Sequence, residues 1–290
     1  MGRYAKILVA FDGSESSRNA LKQAIKLARD EQSFLGVLTV VPPYEGNIEF
    51  IGVRNIDEVL SGPMEKMKTE ANDIAAAEGA CVEVFVERGK AYERIVEKAE
   101  ADGYDLVVMG RRGIHRSARV LMGSVTSRVI GHSDKDVLVI PRDASVEWKN
   151  IVLAIDDSEC SRAAADGAVY FAKSYGGRIT AVMGVDLADE FYAEVPEAVE
   201  QMIGKAETSL DEVGTAAEKE GVAAEVVVRE GKACEAVLDV AEEKEGSVIF
   251  MGSHGRTGLK KLIMGSVTEK VIGYTRCPVM VVKRRDRQSP

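Results

Sequence analysis

Two segments of the chain combine glycines and a serine at a spacing that suits phosphate binding. In each segment two glycines stand three positions apart, and a Gly-Ser pair follows after nine further residues. Glycines after a strand often serve only as turns, but they also let the backbone approach a ligand without a Cβ clash. A Gly-Ser pair that opens a helix offers an anion free N–H groups, a hydroxyl and the positive end of the helix dipole. The segments contain Gly110, Gly113, Gly123 and Ser124, and Gly252, Gly255, Gly265 and Ser266.

Two aspartates accompany these segments. Asp12 and Asp156 each end a short apolar run that is typical of a buried strand. A carboxylate there can accept a hydrogen bond from a ribose hydroxyl or help to hold a divalent ion such as Mg²⁺. It can also simply cap the helix that follows. Both interpretations stay open at this point.

The two motifs belong to a duplication. The segment around Asp12 recurs 144 residues later around Asp156, and the run Met122–Thr126 recurs unchanged as Met264–Thr268. A chain of 290 residues has the length of two domains. We predict one domain at 1–143 and another at 149–285, with a polar linker at 142–147 and a frayed tail at 284–290.

Each copy alternates short apolar runs with stretches of helical periodicity. This alternation predicts an α/β fold in which a parallel sheet carries helices on both faces. Such sheets bind ligands at the carboxyl ends of their strands, where the strand order reverses. The predicted strands are Ile7–Phe11, Leu35–Val41, Cys81–Glu87, Leu106–Met109 and Val137–Ile140 in copy one, and Ile151–Ile155, Ile179–Val185, Ala224–Arg229, Val248–Met251 and Val279–Val282 in copy two.

Composition excludes several classes of protein. With 47 acidic and 38 basic residues the net charge is −9, which argues against nucleic-acid binding. No apolar run is long enough to span a bilayer. The four cysteines form no C-x-x-C pair, and the N-terminus leads straight into a predicted strand. We therefore expect no disulfide framework, no secretory leader and a cytoplasmic location.

The pattern G-x-x-G-x9-G-[ST], together with an aspartate after the first strand, resembles the ATP-binding branch of the universal stress protein family. The duplication resembles the tandem two-domain members of that family, and the resemblance covers nearly the whole chain. It implies two Rossmann-like domains (adenine nucleotide α-hydrolase-like), each with five parallel strands, and a bound ATP, ADP or AMP. It also implies that the domains pair through their last strands, and it leaves open whether whole chains dimerise.

The resemblance also assigns individual residues. Val40 matches a valine that contacts adenine in the family, and Gly184 occupies that position in copy two, which keeps a backbone contact but removes the side chain. Arg111 and Arg112 depart from the family pattern and can either clamp phosphate or fill the pocket. The implied nucleotide-binding residues are Asp12, Val40, Met109, Gly110, Arg112, Gly113, Gly123, Ser124 and Val125, and Asp156, Gly184, Met251, Gly252, His254, Gly255, Gly265, Ser266 and Val267.

Motifs for fast chemistry are missing from the sequence. It contains no Walker A loop, no nucleophile elbow, no dinucleotide loop after the first strand and no H-E-x-x-H. We therefore assign no catalytic residue and predict a nucleotide-binding stress-response or signalling factor. The alternatives are a slow metal-dependent ATP hydrolase and an interaction protein that binds no nucleotide.

Overall fold

A computed structural model describes residues 2–42, 56–113, 122–186, 195–255 and 264–283, with the side chains of 56–61 left out. The chain divides into two compact units, Met1–Asp143 and Ala144–Pro290. The predicted tail at 284–290 lies outside the described residues. Within the described ranges, no helix combines the length and the apolar character needed to cross a membrane.

Unit 1 alternates strands with helices, as predicted. Its strands are buried or half-buried apolar runs, and only β3 has both ends exposed. The predicted third strand began too early, because Cys81 and Val82 precede β3. The elements are β1 (Lys6–Ala10), α1 (Glu15–Glu31), β2 (Phe34–Val41), α2 (Ile56–Ala77), β3 (Glu83–Arg88), α3 (Ala91–Ala101), β4 (Leu106–Gly110), α4 (Ser124–His132) and β5 (Asp136–Ile140).

Unit 2 repeats the same order of elements. Its second helix, α6 here, begins with a proline in the first turn, where the missing N–H costs nothing. The elements are β6 (Asn150–Ala154), α5 (Glu159–Tyr175), β7 (Arg178–Val185), α6 (Pro196–Lys219), β8 (Ala224–Glu230), α7 (Ala233–Glu243), β9 (Val248–Gly252), α8 (Ser266–Tyr274) and β10 (Val279–Val282).

Among the residues that the structure describes, the sheet of each unit has five parallel strands. The order is β3-β2-β1-β4-β5 in unit 1 and β8-β7-β6-β9-β10 in unit 2. All strand pairs within a unit are parallel. In unit 1 the helices α1 and α2 contact each other, and α3 contacts α4, as helices on two faces do. These findings confirm the predicted fold class: two tandem Rossmann-like α/β domains.

Strand order reverses beside the first strand of each unit. The chain proceeds from β1 through β2 to β3 in one direction and resumes at β4 on the other side of β1. Loops that leave β1 and β4 therefore diverge and open a crevice at the carboxyl edge of the sheet. The same holds for β6 and β9 in unit 2. Asp12 follows β1, and Gly113 lies in the loop that follows β4, here called the glycine loop. The topology therefore brings the aspartate and the glycine loop together in this crevice.

The segment ahead of β6 packs more firmly than its polar composition suggested. Val146, inside the predicted linker, is buried, and so is Trp148. The Trp148 ring stacks on Phe171 of α5 at a centroid distance of 4.0 Å. Trp148 therefore belongs to the core of unit 2.

Candidate functional site

Serines, not the aspartates, cap the first helix of each unit. Ser14 Oγ accepts a hydrogen bond from Ser17 N at 3.2 Å, and Ser158 Oγ accepts one from Ser161 N at 3.1 Å. The helix-capping interpretation of Asp12 and Asp156 is therefore wrong, since the cap position is filled by the serine two residues later.

Each aspartate uses one carboxylate oxygen to organise its loop. Asp12 Oδ1 accepts from Ser14 N at 3.0 Å, and Asp156 Oδ1 accepts from Ser158 N at 3.1 Å. The other oxygen, Oδ2, lies against the glycine loop. A Cβ built on Gly113 would stand 2.6 Å from Asp12 Oδ2, and one on Gly255 would stand 2.5 Å from Asp156 Oδ2. Gly113 and Gly255 thus make room for a carboxylate of their own unit.

The first glycine of each loop is required by packing within the protein. A Cβ on Gly110 would lie 2.7 Å from the carbonyl carbon of Ser16, and one on Gly252 would lie 2.7 Å from Cys160 Cβ. The start of the first helix in each unit therefore lies directly on the end of the fourth strand. The sequence predicts that these glycines give a ligand room, but α1 and α5 occupy the space beside them.

The late glycines behave differently. Gly123 and Gly265 precede α4 and α8 with backbone angles of φ −66°, ψ 140° and φ −65°, ψ 138°, which any residue adopts. A Cβ there would meet its nearest neighbour, a backbone oxygen, at 3.4 Å in both units, an ordinary contact. Neither backbone conformation nor packing in the described residues requires glycine at these positions. Their missing side chains leave open space at the start of the helix.

Hydrogen bonds fix α4 and α8 over their loops. Thr126 Oγ1 donates to the Gly110 carbonyl at 3.1 Å, and Thr268 Oγ1 donates to the Gly252 carbonyl at 3.0 Å. No side chain that the structure describes caps either helix. The first-turn N–H groups, the positive end of the dipole and the exposed Ser124 or Ser266 therefore stay available to an anion. Neither threonine is among the residues predicted from sequence, although both belong to the repeated run at Met122–Thr126 and Met264–Thr268.

Unit 2 contains a cleft of about 580 Å³ at the carboxyl edge of its sheet. That volume falls in the range of small-molecule sites. The cleft is lined by every nucleotide-binding residue predicted for this unit: Asp156, Gly184, Met251, Gly252, His254, Gly255, Gly265, Ser266 and Val267. Sequence reasoning missed a second group of lining residues, among them Met202 and Lys205 on α6.

The end of β7 forms another part of the cleft wall. A Cβ on Gly184 would lie 2.5 Å from Ala233 Cα, because α7 begins directly over this strand. Glycine at this position is therefore explained by α7 rather than by a ligand. Its counterpart Val40 is half-buried near the end of β2.

The loop of unit 1 carries two arginines where unit 2 has Ser253 and His254. Arg111 and Arg112 are both half-buried. Burial and the positive charge of Arg112 lower the pKa of the Arg111 guanidinium. An anion at this loop would offset both effects, so the arrangement suits a phosphate. In unit 2, Ser253 Oγ lies 3.1 Å from His254 Nδ1 within the cleft loop.

The carboxylates of the two sites decide whether a metal ion fits there. In the parts of the chain that the structure describes, no group of three or more His, Cys, Asp or Glu side chains is arranged to hold a metal ion. Asp12 and Asp156 each offer one oxygen that is not engaged by the following serine N–H. Mg²⁺ is commonly held by one or two carboxylates together with substrate phosphates, which fits a single aspartate beside a phosphate loop.

Comparisons with known proteins point to one family. Residues 3–141 and 147–283 each match the sequence model described as the universal stress protein family. A universal stress protein of Methanocaldococcus jannaschii is 31% identical over 155 residues, covering 51% of this chain and 90% of the relative. One of Mycolicibacterium smegmatis is 24% identical over 300 residues, covering 96% of this chain and 97% of the relative. The crystal structure of a universal stress protein from Archaeoglobus fulgidus has the same fold, with a TM-score of 0.72 at 24% identity over 98% of this chain and 100% of that one.

Proposed function

Because the chain belongs to the universal stress protein family, we propose that it binds adenine nucleotides (ATP, ADP or AMP) and acts as a nucleotide-responsive stress or signalling factor in the cytoplasm. The cleft of unit 2 carries the proposal, since all nine residues that the sequence assigns to this site line one cavity.

The phosphates bind at the start of α8. Gly265 leaves the approach open, Ser266 Oγ adds a donor, and the first-turn N–H groups point out of the helix end. Asp156 Oδ2 accepts a hydrogen bond from a ribose hydroxyl or, together with the phosphates, helps to hold Mg²⁺. The base lies toward the end of β7, where Gly184 offers backbone groups and no side chain.

Unit 1 binds a nucleotide in the same way. Asp12, Gly113 and Gly123 repeat the geometry of their counterparts in unit 2 within a few tenths of an ångström. Arg111 and Arg112 add positive charge at the phosphate loop. We therefore expect about two nucleotides per chain.

The test counts nucleotides per chain. The purified protein is denatured, and the small molecules released are identified and quantified by mass spectrometry. Equilibrium dialysis with ATP then compares the wild type with Gly265→Val, Gly123→Val and the double variant. Both substitutions suit the local backbone, so thermal unfolding should show folded proteins.

We expect each single variant to lose one equivalent of ATP and the double variant to lose both. The two single variants control for each other, because the same substitution stands at the same place in the other unit. Unchanged stoichiometry in Gly265→Val would contradict the assignment of the unit 2 site. A wild-type protein that releases no nucleotide and binds no added ATP would overturn the proposal and favour an interaction protein.

A further inference from the structure

The helix α6 supplies a wall of the unit 2 cleft that no motif assigns. Ala206 and Leu210 on α6 are buried, and Ser209 Oγ donates to Asp157 Oδ2 at 3.1 Å. Asp157 follows Asp156 directly, so this bond fixes α6 beside the predicted ligand site. Met202 and Lys205 lie on the same side of the helix and line the cleft.

Met202 is a large apolar side chain that is exposed to solvent. It is 45% exposed, although most large hydrophobic side chains of the described core are fully buried. It lies on α6 nearer than Lys205 to the helix start and lines the same cleft as the end of β7. A flexible thioether suits the face of an aromatic ring, because its sulfur is polarisable and its chain adapts to shape. A base at the end of β7 would cover this side chain.

Lys205 is a cation without an ion-pair partner among the residues that the structure describes. Three carboxylates, those of Asp156, Asp157 and Asp186, line the same cleft, yet Lys205 forms no salt bridge with them. It stands four residues, about 6 Å along the helix axis, before Ser209. Its ammonium group can therefore reach an anion that is bound beside Asp156.

We infer that α6 is a second recognition surface of the unit 2 site, in which Lys205 binds the nucleotide phosphates and Met202 packs on the base. This inference rests on the proposed function and adds the residues that distinguish a nucleotide from a nucleoside. Lys205 acts on the phosphates alone, whereas Met202 acts on nucleotide and nucleoside alike.

Calorimetric titration of the full chain with ATP and with adenosine separates the two roles. All variants carry Gly123→Val, so that only unit 2 binds. Lys205→Gln should raise the Kd of ATP about fivefold, as expected for one partly exposed charge pair, and leave that of adenosine within about twofold. Met202→Ala should raise both constants about threefold, because it removes apolar area from either complex. Added salt should shrink the effect of Lys205→Gln on ATP.

Lys219→Gln is the matched control, since Lys219 is exposed in the last turn of α6 and does not line the cleft. It should change neither constant. Equal effects of Lys205→Gln on ATP and adenosine, or unchanged ATP binding in both Lys205→Gln and Met202→Ala, would overturn the inference and leave the proposed function intact. A parent protein that binds no ATP would overturn both.

Discussion

Alanine at Gly252 should destabilise unit 2, whereas alanine at Gly265 should leave its stability nearly unchanged. Both glycines line the same cleft. They differ in what a methyl group would meet. At Gly252 the Cβ would stand 2.7 Å from Cys160 Cβ and 3.0 Å from the Cys160 carbonyl carbon. At Gly265 it would meet Ser253 O at 3.4 Å.

The magnitude follows from these distances. Carbon atoms prefer separations of about 3.5–4.0 Å, so Gly252→Ala forces roughly 1 Å of movement between β9 and α5. Overpacking of this kind costs about 1–3 kcal/mol. For a domain of this size that lowers Tm by about 2–12 °C. Gly265→Ala lowers the free energy of unfolding slightly, because alanine is a poorer helix N-cap than glycine, and raises it by a similar amount, because alanine restricts the unfolded chain. The net change in the free energy of unfolding therefore stays within about 0.5 kcal/mol.

The assay is denaturant unfolding followed by the fluorescence of Trp148, the single tryptophan of the chain, which is buried in unit 2. Any nucleotide that copurifies is removed first, because a ligand stabilises the folded state. Equilibrium dialysis on the same samples should show weaker ATP binding in Gly265→Ala despite its normal stability. A larger loss of stability at Gly265 than at Gly252 would refute the assignment of Gly252 to packing and Gly265 to ligand space.

Three further outcomes are expected. Trp148→Ala should lower the free energy of unfolding of unit 2 by about 3–5 kcal/mol, because it removes the ring that stacks on Phe171 and leaves a cavity. Trp148→Phe should lower it less, and denaturant unfolding followed by circular dichroism measures both variants. Burial and nearby carboxylates raise the pKa of Tyr104 to about 12. The unfolded chain therefore loses the phenolic proton at a lower pH than the folded protein, and the free energy of unfolding should fall as pH rises from about 10 to about 12. In Tyr104→Phe the free energy of unfolding should depend less on pH over this range. Phosphate release from ATP with Mg²⁺ should be negligible, and release that disappears in Asp156→Ala would instead support the hydrolase alternative.

Much of the fold could be predicted because its signals are local. The buried parallel strands are short apolar runs, and the duplication gives each run a second, independent instance. The glycine pattern could be located for the same reason, since its spacing is kept in both copies. Topology then accounts for the meeting of Asp156 with Gly255, because both follow strands that lie side by side at the point where strand order reverses.

Other parts of the site depend on contacts between distant segments, which leave no local pattern. The face that α6 turns to the cleft is set by packing of Ala206 and by the bond from Ser209 to Asp157, so neither Met202 nor Lys205 could be assigned from spacing. The packing roles of Gly110 and Gly252 could not be predicted either, since a glycine that admits a ligand and one that admits a neighbouring helix look alike in sequence. Similarly, Val146 and Trp148 were hidden in a polar stretch because their partners are far along the chain.

The unequal demands on the loop glycines have an evolutionary consequence. A unit that ceased to bind its ligand would still need Gly252 and Gly255, because α5 and Asp156 fill the space beside them. Gly265 would be released from selection and could drift to larger residues at little cost in stability. Relatives that keep the glycines matching Gly252 and Gly255 but lose the one matching Gly265 would then have kept the fold and lost the ligand. The order in which these glycines are replaced would therefore distinguish loss of ligand binding from loss of the fold.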